Sequence, residues 1–233
     1  MFSPYHRLAN CQRLQRTITD FNENGNIPDA IFSNHKKYHY SLMHKLKSAK
    51  SHLESLQDVL ENTEVSAVVD NSTDFINQVN MHMDSFFYCS GSAMDILARG
   101  VLVYFDIPLP NRVYFGTARA EINRLRAGDA ILPRLADPSW KSAFSDYRNA
   151  LTHEVLIGTN FNIAVNADGG RSQTVIVYPL PDNPRDEIED RTFRNNPNAY
   201  EYCKSTFTRL LSLINTIYEN INSRAVANGS FPI

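Results

Sequence analysis

In the stretch DYRNALTHEVL, Arg148, Asn149 and His153 fall inside a segment whose apolar spacing is helical, where polar and charged side chains are costly unless something engages them. On one helix Asn149 and His153 stand four apart and share a face, whereas Arg148 and His153 stand five apart and diverge by about 140°. The arginine must therefore reach around the helix, or a second chain must complete the constellation. Guanidinium beside imidazole suits phosphodiester cleavage. The cation stabilises charge developing on a pentacovalent phosphorus, while the imidazole moves the proton of the attacking or leaving oxygen. RNA carries its own nucleophile in the 2′-hydroxyl, so this chemistry calls for no metal and no cofactor. Read as packing alone, the same residues are the polar flank of a core helix.

Other residues could assist or compete. Asp84, Tyr88, Asp95 and Arg99 fall on one polar line of the long stretch 72–104, and Asp95 with Arg99 makes an i,i+4 pair. The functional reading is that Asp84 or Asp95 orients Arg148 or His153; the plain reading is a solvated ion pair. In HKKYHYSLMH, His35 and His39 lie one helical turn apart, yet no carboxylate separates them and no cysteine is near, so no metal site is expected. Lys36, Lys37, Lys45, Lys47 and Lys50, with Tyr38 and Tyr40 among them, make this the most basic part of the chain. It reads as a solvated helix face, with steering of RNA as the functional alternative. The serines and cysteines form no nucleophile elbow, the glycines no phosphate loop, and ADGG joins two strands as a turn.

Composition narrows the classes further. Of 233 residues, 42% are apolar and 21% charged, enough apolar material to offset the entropy of ordering the chain. A net charge of −2 argues against a protein coated in positive charge for general nucleic-acid or membrane binding. Cys11, Cys89 and Cys203 are odd in number and far apart, as reduced thiols of a cytoplasmic protein would be. No uncharged run reaches the length of a spanning helix, and the N-terminus offers no secretion signal, so membrane insertion and secretion are disfavoured.

The elements that must position these residues follow from periodicity. Residues 5–22 read as a short helix broken by Gly25 and Pro28, and 34–62 as a helix with one buried edge at Leu42, Leu46, Leu53, Leu56 and Leu60. From Ser72 to Tyr104 apolar residues recur near every 3.6 positions. This longest helix is capped by Ser72 or Thr73 and stopped at DIPLPN by Pro108 and Pro110. A charged helix is expected over 112–128. The helix carrying the motif should be capped by Asp137 with Pro138 first, and should face the core with Trp140, Phe144, Tyr147, Leu151 and Val155. The period then becomes two in FNIAV and TVIVY, which predicts a β-hairpin over 161–178 that must lie against helices. After an irregular connection, Asn196 and Pro197 open a last helix buried along Cys203, Phe207, Leu210, Leu211, Ile214, Ile217, Tyr218 and Ile221. The fold class predicted is mainly all-α, a helical bundle with one appended hairpin. One domain is expected over 1–233, with 1–71 as an N-terminal helical extension.

RNALTH resembles the arginine, polar residue, variable positions and histidine pattern of the HEPN (higher eukaryotes and prokaryotes nucleotide-binding) superfamily. MDSFFYCSGSAMDILARGVL is similar to the long helix that pairs with the motif helix there, and the resemblance covers residues 72–222. It implies an antiparallel bundle, a homodimer joining two motif copies in a shared cleft, and metal-independent RNA cleavage. Arg148 and His153 would be the catalytic pair, and Asn149 the polar residue that positions the phosphate or its partner. Sharing across a two-fold axis would answer the divergence of Arg148 from His153. The partners implied are a second copy of the chain, RNA, and an antitoxin or regulatory protein; neither DNA nor a membrane is expected. Some such domains serve as binding modules without turnover. The alternative reading is therefore a non-catalytic dimer that holds a nucleotide, RNA or a partner protein in the same groove.

Overall fold

The computed structural model of the chain describes residues 8–136, 138–153, 161–168, 171–194 and 198–233. Among these, seven α-helices accompany a single two-stranded sheet, so the protein is mainly all-α with one hairpin, as the periodicities predict. The helices are α1 (Ala9–Glu23), α2 (Asp29–Asn62), α3 (Val65–Asp70), α4 (Ser72–Tyr104), α5 (Phe115–Leu125), α6 (Lys141–His153) and α7 (Ala199–Asn228). The strands are β1 (Asn162–Asp168) and β2 (Arg171–Val177). The chain divides into two compact units, with boundaries inside α2, α4 and α7 and one between Pro138 and Ser139, ahead of α6.

Unit 1 comprises Met1–Leu46, Gly91–Pro138 and Thr208–Ile233. Its core is built from Leu14 and Ile18 of α1, Leu42 of α2, Val101 and Leu102 of α4, Ile122 of α5, and Ile214 and Ile217 of α7, all fully buried. Polar side chains fix α1 on α7. The Asn215 amide oxygen accepts the Asn10 backbone N–H at 3.0 Å, and the Thr17 hydroxyl donates to Asn222 Oδ1 at 2.7 Å. Arg224 grips Asp129 with two guanidinium hydrogen bonds, 3.0 and 2.5 Å long, a planar fork matched to a carboxylate. His35 and His39, read from the sequence as part of a basic surface stretch, are instead core residues of this unit. His35 Nδ1 lies 2.6 Å from the Tyr104 hydroxyl, and the His35 and His39 rings stack with centroids 5.2 Å apart.

Unit 2 comprises Lys47–Ser90 and Ser139–Phe207. Leu56, Val68, Val79, Met83, Phe86 and Phe87 fill its core together with Phe144, Tyr147 and Tyr178. The hairpin is antiparallel with Asn162 opposite Val177 and Asp168 opposite Arg171. It lies against helix as expected. Ile176 is buried, the buried Tyr178 hydroxyl accepts from Asn80 Nδ2 of α4 at 2.7 Å, and Phe161 meets Phe75 of α4 edge to face at 5.5 Å. The connection that follows is irregular but internally bonded. Asp182 accepts from the Thr192 hydroxyl at 2.6 Å and the Arg194 N–H at 3.1 Å, and a 3-10 turn covers Ile188–Asp190.

Several boundaries differ from the predicted ones. α2 begins at Asp29, five residues earlier than the leucine spacing suggests, because the Pro28 carbonyl accepts its first bond from the Phe32 N–H. α4 is capped by Asn71, whose Oδ1 accepts the Asp74 N–H, rather than by Ser72 or Thr73, which are already helical. α5 is shorter than 112–128: Thr117 Oγ1 turns back to the Tyr114 N–H at its start, and Gly128, at φ +79°, follows its end. α6 starts at Lys141, and the proposed cap Asp137 lies outside the described residues. α7 starts at Ala199 with Asn198 as its cap, its Oδ1 accepting the Tyr200 N–H at 3.0 Å, whereas Asn196 and Pro197 lie outside the described residues. α3 has no counterpart in the sequence reading. Among the described residues only α4 has the length and apolarity to cross a membrane, and 72% of its most apolar window is buried inside the protein.

α4 ends in a Schellman motif. The Ile107 N–H returns to the Leu102 carbonyl at 2.9 Å and the Asp106 N–H to Val103 at 3.0 Å, with Asp106 at φ +53°. A side chain there is strained, although aspartate tolerates it better than most residues. Asp106→Gly is expected to stabilise the protein by about 0.5–1 kcal/mol, and Asp106→Val to destabilise it by about 1 kcal/mol or more. Urea unfolding midpoints of the two variants, moving in opposite directions, check this.

Candidate active site on helix 6

α6 is held by its apolar face. Phe144, Tyr147 and Ala150, three apart, are buried in unit 2. Tyr147 packs edge to face on Tyr202 at 4.9 Å, and Phe87 lies 5.3 Å from Phe144 and 6.1 Å from Tyr147. The Tyr147 hydroxyl donates to the Pro181 carbonyl at 2.5 Å, joining the motif helix to the chain that leaves the hairpin. Burial holds that phenol neutral, pushing its pKa far above the ordinary value, with Tyr202, Asp182 and Cys203 adding in the same direction. Asp146 is clasped by Arg185 from the same connection. Tyr147→Phe removes one buried hydrogen bond while keeping the ring, and is expected to cost about 1 kcal/mol. The check is a chemical-denaturation comparison with wild type; an unchanged midpoint would mean that packing alone fixes α6.

This anchoring sets where the motif points. At about 100° per residue, position 148 lies about 100° to one side of Tyr147, while 149 and 153 lie about 160° and 120° to the other. All three positions are therefore off the buried arc, in the order Arg148, Asn149, His153 around the helix. Arg148 is half-buried and engaged with other groups, and Asn149 is exposed. His153 forms the last residue of α6; its side chain lies outside the described residues, as does Val155. Trp140 and Leu151 are half-buried rather than fully in the core.

The two candidate orienting carboxylates part company. Asp84 belongs to the half of α4 in unit 2 and is exposed, whereas Asp95 belongs to the half in unit 1 and is half-buried. Of the residues singled out in the sequence, the structure thus brings Arg148, Asn149 and His153 onto one helix, with Asp84 in the same unit. The basic stretch of α2 divides as well: Lys36 and Lys37 are exposed, with ammonium groups over the Phe32 and Tyr38 rings, while His35 and His39 point inward. Sequence spacing passed over one further chemical pair, His52 of α2 and His82 of α4. They are thirty residues apart, and only the folded chain sets them side by side. Searches against protein-family models, curated proteins and solved structures found no match to this chain.

Proposed function

We propose that the chain is a metal-independent endoribonuclease of the kind its RNxxxH resemblance implies, acting as a homodimer in which two α6 motifs share one cleft. His153 is the general acid and base that takes the 2′-hydroxyl proton and returns one to the departing 5′-oxygen. Arg148 stabilises the charge on the phosphorane-like transition state, and Asn149 positions the phosphate. The bond formed is 2′-oxygen to phosphorus and the bond broken is phosphorus to 5′-oxygen, which leaves a 2′,3′-cyclic phosphate and a 5′-hydroxyl. DNA, without the 2′-hydroxyl, is not a substrate. A cytoplasmic location fits the free, buried thiols Cys11, Cys89 and Cys203.

The observation that carries this reading is the register of α6. Burial of Phe144, Tyr147 and Ala150 leaves the arginine, asparagine and histidine positions together on the arc away from the core. The test is cleavage of labelled RNA in the presence of chelator by wild type, Arg148→Ala and His153→Ala. Chelator-resistant cleavage that disappears in both variants supports the enzyme, and cleavage that survives both removes α6 from the chemistry. The net charge of −2 favours one second reading, a non-catalytic dimer that holds a partner such as an antitoxin or regulatory protein over the same arc. RNA left intact by wild type would favour it.

A further inference from the structure

His52 on α2 and His82 on α4, both in unit 2, are half-buried. They face each other with Nδ1 to Nδ1 at 3.3 Å, ring centroids 5.7 Å apart and planes inclined at 43°. Two imidazole nitrogens this close need an atom between their lone pairs, either a shared proton or a metal ion. A shared proton makes an N–H···N hydrogen bond, and 3.3 Å puts it at the long, weak end for an N–H donor. Around a tetrahedral Zn²⁺ with bonds of about 2.0–2.1 Å, neighbouring ligand nitrogens stand about 3.3–3.4 Å apart. The spacing is that of a tetrahedron's edge.

We propose that His52 and His82 form a two-imidazole clamp for a borderline divalent transition cation, Zn²⁺ foremost, with its remaining coordination positions open to water. The residues one turn away are uncharged: Ser48 and Ser55 beside His52, Gln78 and Ser85 beside His82. They set no positive charge against an entering cation. The proton shared between the two rings passes to the Nε2 of its own ring, and both Nδ1 lone pairs turn to the metal with no redox change. Among the described residues no three His, Cys, Asp or Glu are placed to hold a metal, so the clamp is bidentate. Imidazole donors favour Zn²⁺, Cu²⁺ and Ni²⁺ over Mg²⁺, whose preference is for oxygen. The clamp does not involve α6, and its failure would leave the nuclease reading standing.

The experiment uses the full chain, stripped with chelator and desalted, titrated with ZnCl₂ by calorimetry and followed by thermal unfolding, with MgCl₂ as the hard-cation control. The expected result is one Zn²⁺ per chain and a rise in Tm of about 3–6 °C at saturation. Both effects should vanish in His52→Gln and in His82→Gln and persist in His44→Gln, which alters an exposed histidine of α2. Glutamine retains a donor and an acceptor, so the helices keep a polar contact. A second measurement needs no variant: Co²⁺ bound to wild type should give the intense visible absorption of a four-coordinate site. No Zn²⁺ binding, binding undiminished in both variants, or loss in only one of them overturns the clamp.

Discussion

Acidification from pH 7 to about 4.5 is expected to destabilise unit 1 markedly. His35 is 2% exposed and His39 7% exposed, packed in the core with the Tyr104 hydroxyl and the Tyr218 ring. Burial first, then the charges of His39 and Lys36, brings the His35 pKa down to about 3. Burial lowers His39 as well. In the unfolded chain both imidazoles take up a proton near pH 6.5. Below that value the unfolded state binds more protons than the folded one, so stability that is complete above pH 6.5 is lost as pH falls toward the folded pKa. His35 alone contributes a loss of about 1.4 kcal/mol per pH unit, or about 2.5 kcal/mol between pH 6.5 and 4.5. His39 adds in the same direction.

Against a net stability of about 5–15 kcal/mol, the loss is large. The other groups facing this cluster, Cys11, Tyr104 and Tyr218, have thiol and phenol pKa values pushed up by burial and stay neutral throughout the acid range. For Asp129 burial raises the pKa, but the hydrogen bonds and charge of Arg224 prevail and hold it below the ordinary carboxylate value, so it joins only at lower pH. Urea unfolding at a series of pH values should show a midpoint falling steadily below pH 6.5, and His39→Phe, which keeps an aromatic ring but cannot titrate, should flatten the slope. A midpoint constant from pH 7 to 5 would mean that the imidazoles reach water in the native state.

The burial of these histidines was legible in principle. The leucine stripe of α2, extended back by whole turns from Leu46 and Leu42, runs through Tyr38, His35 and Ile31, all of them buried. Residue type misled where periodicity pointed correctly, since histidines among lysines read as a basic surface. Where an apolar stripe was long and uninterrupted, as in α4 and α7, helix and core residues both emerged, because 3.6-residue spacing over many turns has few other causes. The hairpin emerged for the same reason at period two.

Caps were harder. Asn71, Ser72 and Thr73 can each accept an N–H at a helix start, and the choice depends on how the preceding chain arrives, which for α4 is through α3, a six-residue helix too short for periodicity to mark. At the candidate site, the sequence alone fixed the angular relation of Arg148, Asn149 and His153. What it could not supply was the absolute direction of that arc. That depends on Tyr147 meeting Tyr202 and Pro181, partners 55 and 34 positions along the chain whose approach is a tertiary event.

On the proposed nuclease reading, the largest effect expected of any substitution is on RNA cleavage. Arg148→Ala and His153→Ala should each lower the rate by about 10³-fold or more, since transition-state charge stabilisation and general acid–base transfer are each worth about 10²–10⁴. The manner of the loss distinguishes a shared site from a self-contained one. With Arg148 and His153 diverging by about 140° on a single helix, productive pairing is expected between the arginine of one protomer and the histidine of its partner. Mixing the two inactive variants then regenerates activity: a heterodimer has one site with both residues and one with neither. Random association makes about half of the dimers heterodimers with one competent site in two, so recovery should approach about one quarter of the wild-type rate. If each site were built within a single protomer, every site in the mixture would lack one residue and no activity would return. A mixture that exchanges subunits, as shown by a labelled wild-type control, yet stays as inactive as its parents would overturn the shared cleft, while the single-variant losses would still bear on the chemistry of α6.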